Sequence, residues 1–165
     1  MNRSLRLVGI FALTAAPFAP ALAGSQNAAF TVQVNVVSAC SISAATLDFG
    51  SYTPTALVGA SGSSALTVNC TNGAIATIDL DQGAQPATGS TALVPLRQMA
   101  HIAGRLAYLL YQDTTHLVPW GAGLASKSFT GTGVASTVTV YGFIAPLQTV
   151  TAATYTDSVT ATINY

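Results

Sequence analysis

From residue 24 onward, apolar residues recur at every second position in short runs, and no stretch sustains the 3.6-residue spacing of an amphipathic helix. Period two sends side chains alternately to the two faces of an extended strand, so each run specifies a half-buried strand. Gly, Pro, Ser and Asn separate the runs at short intervals, and the expected fold class is all-β. In the first run Phe30, Val32, Val34 and Val36 share one parity, and Thr31, Gln33 and Asn35 share the other. This run stands apart from the elements that follow. It could complete its own domain's sheet or be offered to a neighbour's.

The later runs follow the same rule. Ile42 to Phe49 reads as a short strand closed by Gly50, and residues 55–63 read as a loop of small residues. Ala65 to Cys70 places Leu66, Val68 and Cys70 on one face. Thr71-Asn72-Gly73 then supplies a tight turn, because Asn-Gly tolerates positive φ, and the return through Ala74 to Leu80 reads as the second arm of a hairpin. Residues 91–100, around Pro95, read as an irregular edge strand. Arg105 to Tyr111 reads as a central strand with Tyr108 and Tyr111 on opposite faces. Val134 to Ile144 is the longest alternating run. In the last, Tyr155 to Tyr165, Val159, Ala161, Ile163 and Tyr165 alternate with Ser158, Thr160, Thr162 and Asn164, and no closing strand follows. About seven strands at such spacing predict a Greek-key sandwich with a strand at each end beside an open edge.

Residues 1–23 read as a secretory signal: Arg3 and Arg6, an apolar run from Leu7, and the Ala21-Leu22-Ala23 cleavage pattern before Gly24. The apolar run is interrupted by Pro17 and Pro20 and falls short of the ~20 residues that span a bilayer. Export removes two basic residues, leaving Arg97, Arg105 and Lys127 against Asp48, Asp79, Asp81, Asp113 and Asp157, a net charge of −2. Nucleic acid and acidic membranes, which call for clustered Lys and Arg, are disfavoured partners. Charged residues make up only 6% of the chain, against about 25% in ordinary soluble proteins. So little charge suits a protein packed against copies of itself, although a neutral secreted β domain would share the composition. In an exported chain the two cysteines, Cys40 and Cys70, are expected to form a disulfide. Closing a loop of about 30 residues contributes about 3–4 kcal/mol by the chain-entropy model.

Catalytic and metal-binding readings find little support. There is no G-x-S-x-G elbow, and the five Asp residues give no preferred carboxylate pair. His101 and His116 lack ligand spacing, and Asp79 with Asp81 supplies too few oxygens for calcium. The expectation is a non-enzyme without catalytic residues, metal or cofactor.

Several segments, in order and spacing, carry a family resemblance: Leu47-Asp48-Phe49-Gly50-Ser51-Tyr52, Val68-Asn69-Cys70-Thr71-Asn72-Gly73, Leu106-Ala107-Tyr108-Leu109-Leu110-Tyr111-Gln112-Asp113, Trp120-Gly121, Val140-Tyr141-Gly142-Phe143-Ile144-Ala145-Pro146-Leu147-Gln148, and Tyr155 to Tyr165. Together with the alternating run before Cys40, they resemble the spore coat protein U domain family, which includes pilin subunits of archaic chaperone–usher pili. One departure is Ala152-Ala153-Thr154, where the family often carries Gly.

The resemblance implies an immunoglobulin-like Greek-key sandwich lacking its final strand. A periplasmic chaperone fills the gap, and an outer-membrane usher exchanges that filler for the N-terminal strand of the next subunit. The implied organisation is a signal peptide over 1–23, a donor strand over 24–37 and a pilin sandwich over 38–165. Phe30, Val32, Val34 and Val36 become the donor side chains, and Val159, Ala161, Ile163 and Tyr165 flank the acceptor groove. Burying four such side chains is worth ~6–12 kcal/mol gross. The implied partners are other pilin subunits in a head-to-tail polymer, the chaperone and the usher, and the implied role is a surface pilus for adhesion and biofilm formation. The alternative is a secreted, self-complemented sandwich acting as a coat or ligand-binding protein. A tip adhesin would normally need a further N-terminal binding domain.

Overall fold

The computed structural model describes residues 22–165, so the expected leader lies almost wholly outside the described residues. The chain divides after Asn35 into two units. In the described part of the first, residues 22–35, no strand or helix is assigned and every residue is exposed. The second, residues 36–165, is a sandwich of eight strands: β1 (Cys40–Ala44), β2 (Ala60–Cys70), β3 (Ile75–Leu80), β4 (Arg97–His101), β5 (Gly104–Tyr111), β6 (Lys127–Thr130), β7 (Ser136–Ile144) and β8 (Ala161–Asn164). One sheet has the order β1-β2-β7-β5-β4 and the other β6-β3-β8, with every pairing antiparallel. The two antiparallel sheets form the immunoglobulin-like sandwich that the resemblance implies.

Alternation decides which side chains meet between the sheets. Leu66, Val68 and Cys70 of β2, Ala76, Ile78 and Leu80 of β3, Leu106, Tyr108 and Leu110 of β5, and Val138, Val140 and Ile144 of β7 form the core. Trp120 joins them fully buried, its indole N–H donating to the Ile78 carbonyl at 2.9 Å. The expected disulfide joins Cys40 to Cys70, directly opposite one another in the β1–β2 ladder. It pins the first strand to the sheet.

Four expectations are corrected. The turn at residues 71–74 forms, with Gly73 at φ 77°, but β2 and β3 lie in different sheets. The chain crosses the sandwich there, and just past the end of β6 the Gly73 N–H donates to the Gly131 carbonyl while the Gly131 N–H donates to the Ala74 carbonyl, both at 2.8 Å. The strand expected over Ile42 to Phe49 stops at Ala44. Beyond it, Leu47 and Phe49 still point into the core because residues opposite them are glycines: a Cβ on Gly62 would sit 2.8 Å from the Asp48 carbonyl, and one on Gly142 would sit 2.6 Å from the Phe49 ring. The loop expected over 55–63 is shorter, since β2 begins at Ala60 and pairs with β7 from there. The last strand is split: Thr156 bridges to Ala100 at the edge of the large sheet, and Ala161–Asn164 pairs with β3 in the small one.

Candidate functional site

The site grows out of the last segment. β8 pairs with β3 in the register Leu80↔Ala161 and Ile78↔Ile163, and it has no neighbour on its other side among the described residues. The Asp81 N–H donates to the Thr160 carbonyl at 3.1 Å, while the Thr160 N–H donates to the Asp81 carboxylate at 3.0 Å. Backbone groups on an antiparallel strand point alternately to its two sides. Thr160, Thr162 and Asn164 therefore turn their backbone toward β3, and Ala161 and Ile163 turn theirs toward the vacant side.

The side chains on that strand face the core but are not covered. Val159, Ala161 and Ile163 are half-buried against it, as are Cys40 and Ile42 of β1, the terminal strand of the opposite sheet. β1 and β8 come together across the sandwich. The result is an apolar slot with an unpaired ladder along one wall. Of the four residues expected to flank a groove, Ala161 and Ile163 lie in β8, Val159 packs just ahead of it, and Tyr165 lies beyond its end, 63% exposed.

A buried polar cluster holds the start of this segment in place. Asp157 accepts from the Tyr108 hydroxyl at 2.6 Å and from the Ala84 and Ser158 N–H groups. Gly83 must lack a side chain here, because its φ is 77° and a Cβ would meet the Asp157 carboxylate at 2.1 Å. Alongside, Arg97 of β4 is 1% exposed and donates to three carbonyls: Asp81 at 2.8 Å, Leu80 at 3.0 Å and Trp120 at 2.9 Å. Its Nη1 has no partner. Burial pushes the guanidinium pKa down, against the pull of Tyr108, Asp81 and Asp157. The Tyr108 hydroxyl is pushed far up, first by burial and then by its bond to Asp157. At the other end of β8, Asp79 accepts from Asn164 at 3.0 Å and from the Ser126 hydroxyl.

Sequence reasoning found the apolar parity of the last strand and missed Arg97, which entered only the charge balance. Its setting in Val94-Pro95-Leu96-Arg97 was the available signal, a lone charge at the end of an apolar run. The candidate carboxylates Asp79 and Asp81 are engaged by hydroxyl, amide and backbone donors. No group of three or more metal-ligating side chains gathers among the described residues. His101 lies against Tyr155 and His116 against Tyr111 and Phe143. The run at Phe30, Val32, Val34 and Val36 is 76–87% exposed at those four positions and belongs to no sheet.

Three comparisons bear on this arrangement. The Spore Coat Protein U domain family profile matches residues 26–162. "Protein U" of Myxococcus xanthus is 41% identical over 160 residues, covering 90% of this chain and 89% of that protein. Among solved structures, the fold matches the CsuC–CsuE chaperone–tip adhesion subunit pre-assembly complex from archaic chaperone–usher Csu pili of Acinetobacter baumannii. The TM-score is 0.58 at 20% identity, over 79% of this chain and 40% of that one.

Proposed function

The chain belongs to the Spore Coat Protein U domain family, and from that premise we propose that it is an exported structural subunit that polymerises by donor-strand exchange into a surface fibre serving adhesion and biofilm formation. The observation that carries this reading is the pairing of two unmet needs. The slot beside β8 exposes apolar walls and unpaired backbone, and residues 30–36 expose four alternating apolar side chains on a strand-forming run. An added strand satisfies both, with side chains filling the slot and main chain completing the ladder.

Strand direction favours a neighbour as the source. β1 starts at the end of the sandwich where Cys40 meets Cys70, and β8 runs toward that same end, because Asn164 pairs with Thr77 near the start of β3. Only residues 37–39 separate Val36 from Cys40. Folded back into its own slot, the 30–36 run would have to lie parallel to β8, whereas a run from another subunit is free to lie antiparallel. Antiparallel ladders are the slightly more stable kind, and every pairing in this sandwich is antiparallel. Such a head-to-tail contact does not close on itself and so propagates a fibre.

Before assembly the slot requires a temporary occupant, and a periplasmic chaperone followed by an outer-membrane usher fills that role in this reading. The structural neighbour is a chaperone–subunit complex, which supports it. A coat layer is the second reading, favoured by the family's description. Removing residues 24–37 separates them. The truncated chain is expected to remain folded when co-expressed with its chaperone and to form no polymer. If it instead unfolds and no chaperone captures it, the run was an internal strand and the self-complemented coat reading stands.

A further inference from the structure

The outward face of the large sheet carries a second feature, independent of polymerisation. The register places Ser63, Tyr141 and Tyr111 in one row across β2, β7 and β5, and Ser61, Phe143 and Leu109 in the next. These side chains point away from the core, since Val140, Gly142 and Ile144 between them point inward. Residues 112–118 fold over one side of this face as a wall. Asp113 organises the wall, its carboxylate accepting from the N–H groups of Thr115 at 3.1 Å, Leu117 at 3.2 Å and Val118 at 2.8 Å, and from the Thr115 hydroxyl. His116 sits at the crest with φ 56°, a conformation that non-glycine residues adopt only when their surroundings impose it. Its ring is wedged against Tyr111 and Phe143, with centroids 5.0 and 5.3 Å away. An open depression of about 340 Å³ results, lined by Ser61, Gly62, Ser63, Thr114, His116 and Tyr141.

We propose that this depression binds a neutral sugar unit of a glycan. Its lining offers three aliphatic hydroxyls, a phenol and an imidazole, with no charged side chain among them. The carboxylate of Asp113, adjacent in sequence to the lining residue Thr114, is consumed by its own loop. A pyranose ring has apolar C–H faces and a rim of hydroxyls. The face packs against an aromatic side chain while the rim exchanges hydrogen bonds with Ser, Thr, Tyr and His, each of which can donate or accept. The loop is held before any ligand arrives, so little ordering cost opposes binding. A charge-free lining gives an anionic ligand nothing to pair with, which sets neutral glycans apart from sulfated ones.

The test is an amide NMR titration of the full exported chain, held monomeric in complex with its chaperone, with maltohexaose, chitotetraose and a mannan oligosaccharide in turn, with a heparin fragment alongside. Expected is saturable binding of at least one neutral oligosaccharide with a Kd of about 1 mM, with shifts centred on residues 61–63, 114–116 and 141. The Ser61→Ala/Ser63→Ala double variant, altered only at exposed positions, should weaken binding by about fivefold to tenfold. Tyr141→Ala should weaken it at least as much, and Tyr141→Phe, which keeps the ring, should fall between Tyr141→Ala and the parent. The proposal is overturned by the absence of a saturable shift with all three neutral sugars, by binding indifferent to both Tyr141→Ala and the double serine variant, or by binding of heparin alone.

Discussion

Arg97 shows how much one residue can hold together. Its guanidinium ties the end of β3, through Leu80 and Asp81, to the chain at Trp120, and Asp81 in turn holds Thr160 ahead of β8. Arg97→Leu removes the donors and strands three carbonyls in the core, so it should destabilise the sandwich by about 3 kcal/mol, read from the denaturant midpoint. Arg97→Lys keeps the charge, but one nitrogen on a flexible stem cannot reproduce the planar fork, and a smaller loss is expected. A Leu variant as stable as the parent would show that desolvating the guanidinium costs as much as its bonds return. Asp113 is the pH-sensitive counterpart at the surface. Its bonds to Thr115, Val118 and Leu117 lower its pKa from the ordinary 3.8 to about 2. A carboxylate with a depressed folded pKa stabilises its loop above the ordinary value, and that contribution is lost as pH falls through about 2. Amide protection at Thr115, Leu117 and Val118 should therefore persist to about pH 3 and collapse below about pH 2, whereas Asp113→Asn should lack this transition. Equal acid sensitivity in both proteins would remove Asp113 from that role.

At the scale of elements, the meeting of β2 and β7 at Gly62 and Gly142 determines how the segment before β2 is received. A Cβ on Gly62 would press on the Asp48 carbonyl at 2.8 Å and on Leu47 and Phe49 at 3.1 and 3.2 Å. The carbonyl is backbone and cannot swing aside, because the Asp48 side chain is committed to the Gly50 N–H at 2.8 Å. Gly62→Ala should cost about 1–3 kcal/mol, and Ser61→Ala next to it, on the exposed face, should stay within about 0.5 kcal/mol. Matched losses in a thermal melt would refute the contact. The same region shows why part of the fold was legible and part was not. β7 was readable because one face is buried along its whole length, which imposes clean alternation. Leu47 and Phe49 keep that alternation after β1 has ended, since inward pointing needs only extended backbone, so the sequence pattern overstated the strand. Asn72-Gly73 announced a turn correctly, but a tight turn has the same local chemistry whether the chain rejoins its own sheet or crosses to the other. In the candidate site, the parity of Val159, Ala161 and Ile163 was visible. The unpaired edge beside them and the buried guanidinium behind them depend on long-range pairing, which no local pattern records.

At the scale of the whole molecule, the proposed donor-strand exchange would make each subunit both acceptor and donor, and the two functions could then be broken separately. Val34→Asp places a charge where the run must be buried, at a cost of several kcal/mol, but leaves the slot intact. Ile163→Asp spoils the slot but leaves the 30–36 run intact. Neither variant alone should polymerise. Mixed in equal amounts, the two should form a one-to-one pair and stop, because the intact run of the second fills the intact slot of the first and the remaining two ends are both defective. Size-exclusion chromatography with multi-angle light scattering distinguishes this from a self-complemented domain, in which each substitution would break an internal strand and mixing would restore nothing. Because Ile163 also packs on the core, the Ile163→Asp chain must first be shown to retain its Cys40–Cys70 disulfide and a cooperative thermal unfolding transition. If it does and the mixture still stays monomeric, head-to-tail exchange through this edge is excluded. A discrete dimer from two variants that are each inert alone would require an open, directional contact, since a symmetric interface damaged on either partner could not be rescued by mixing.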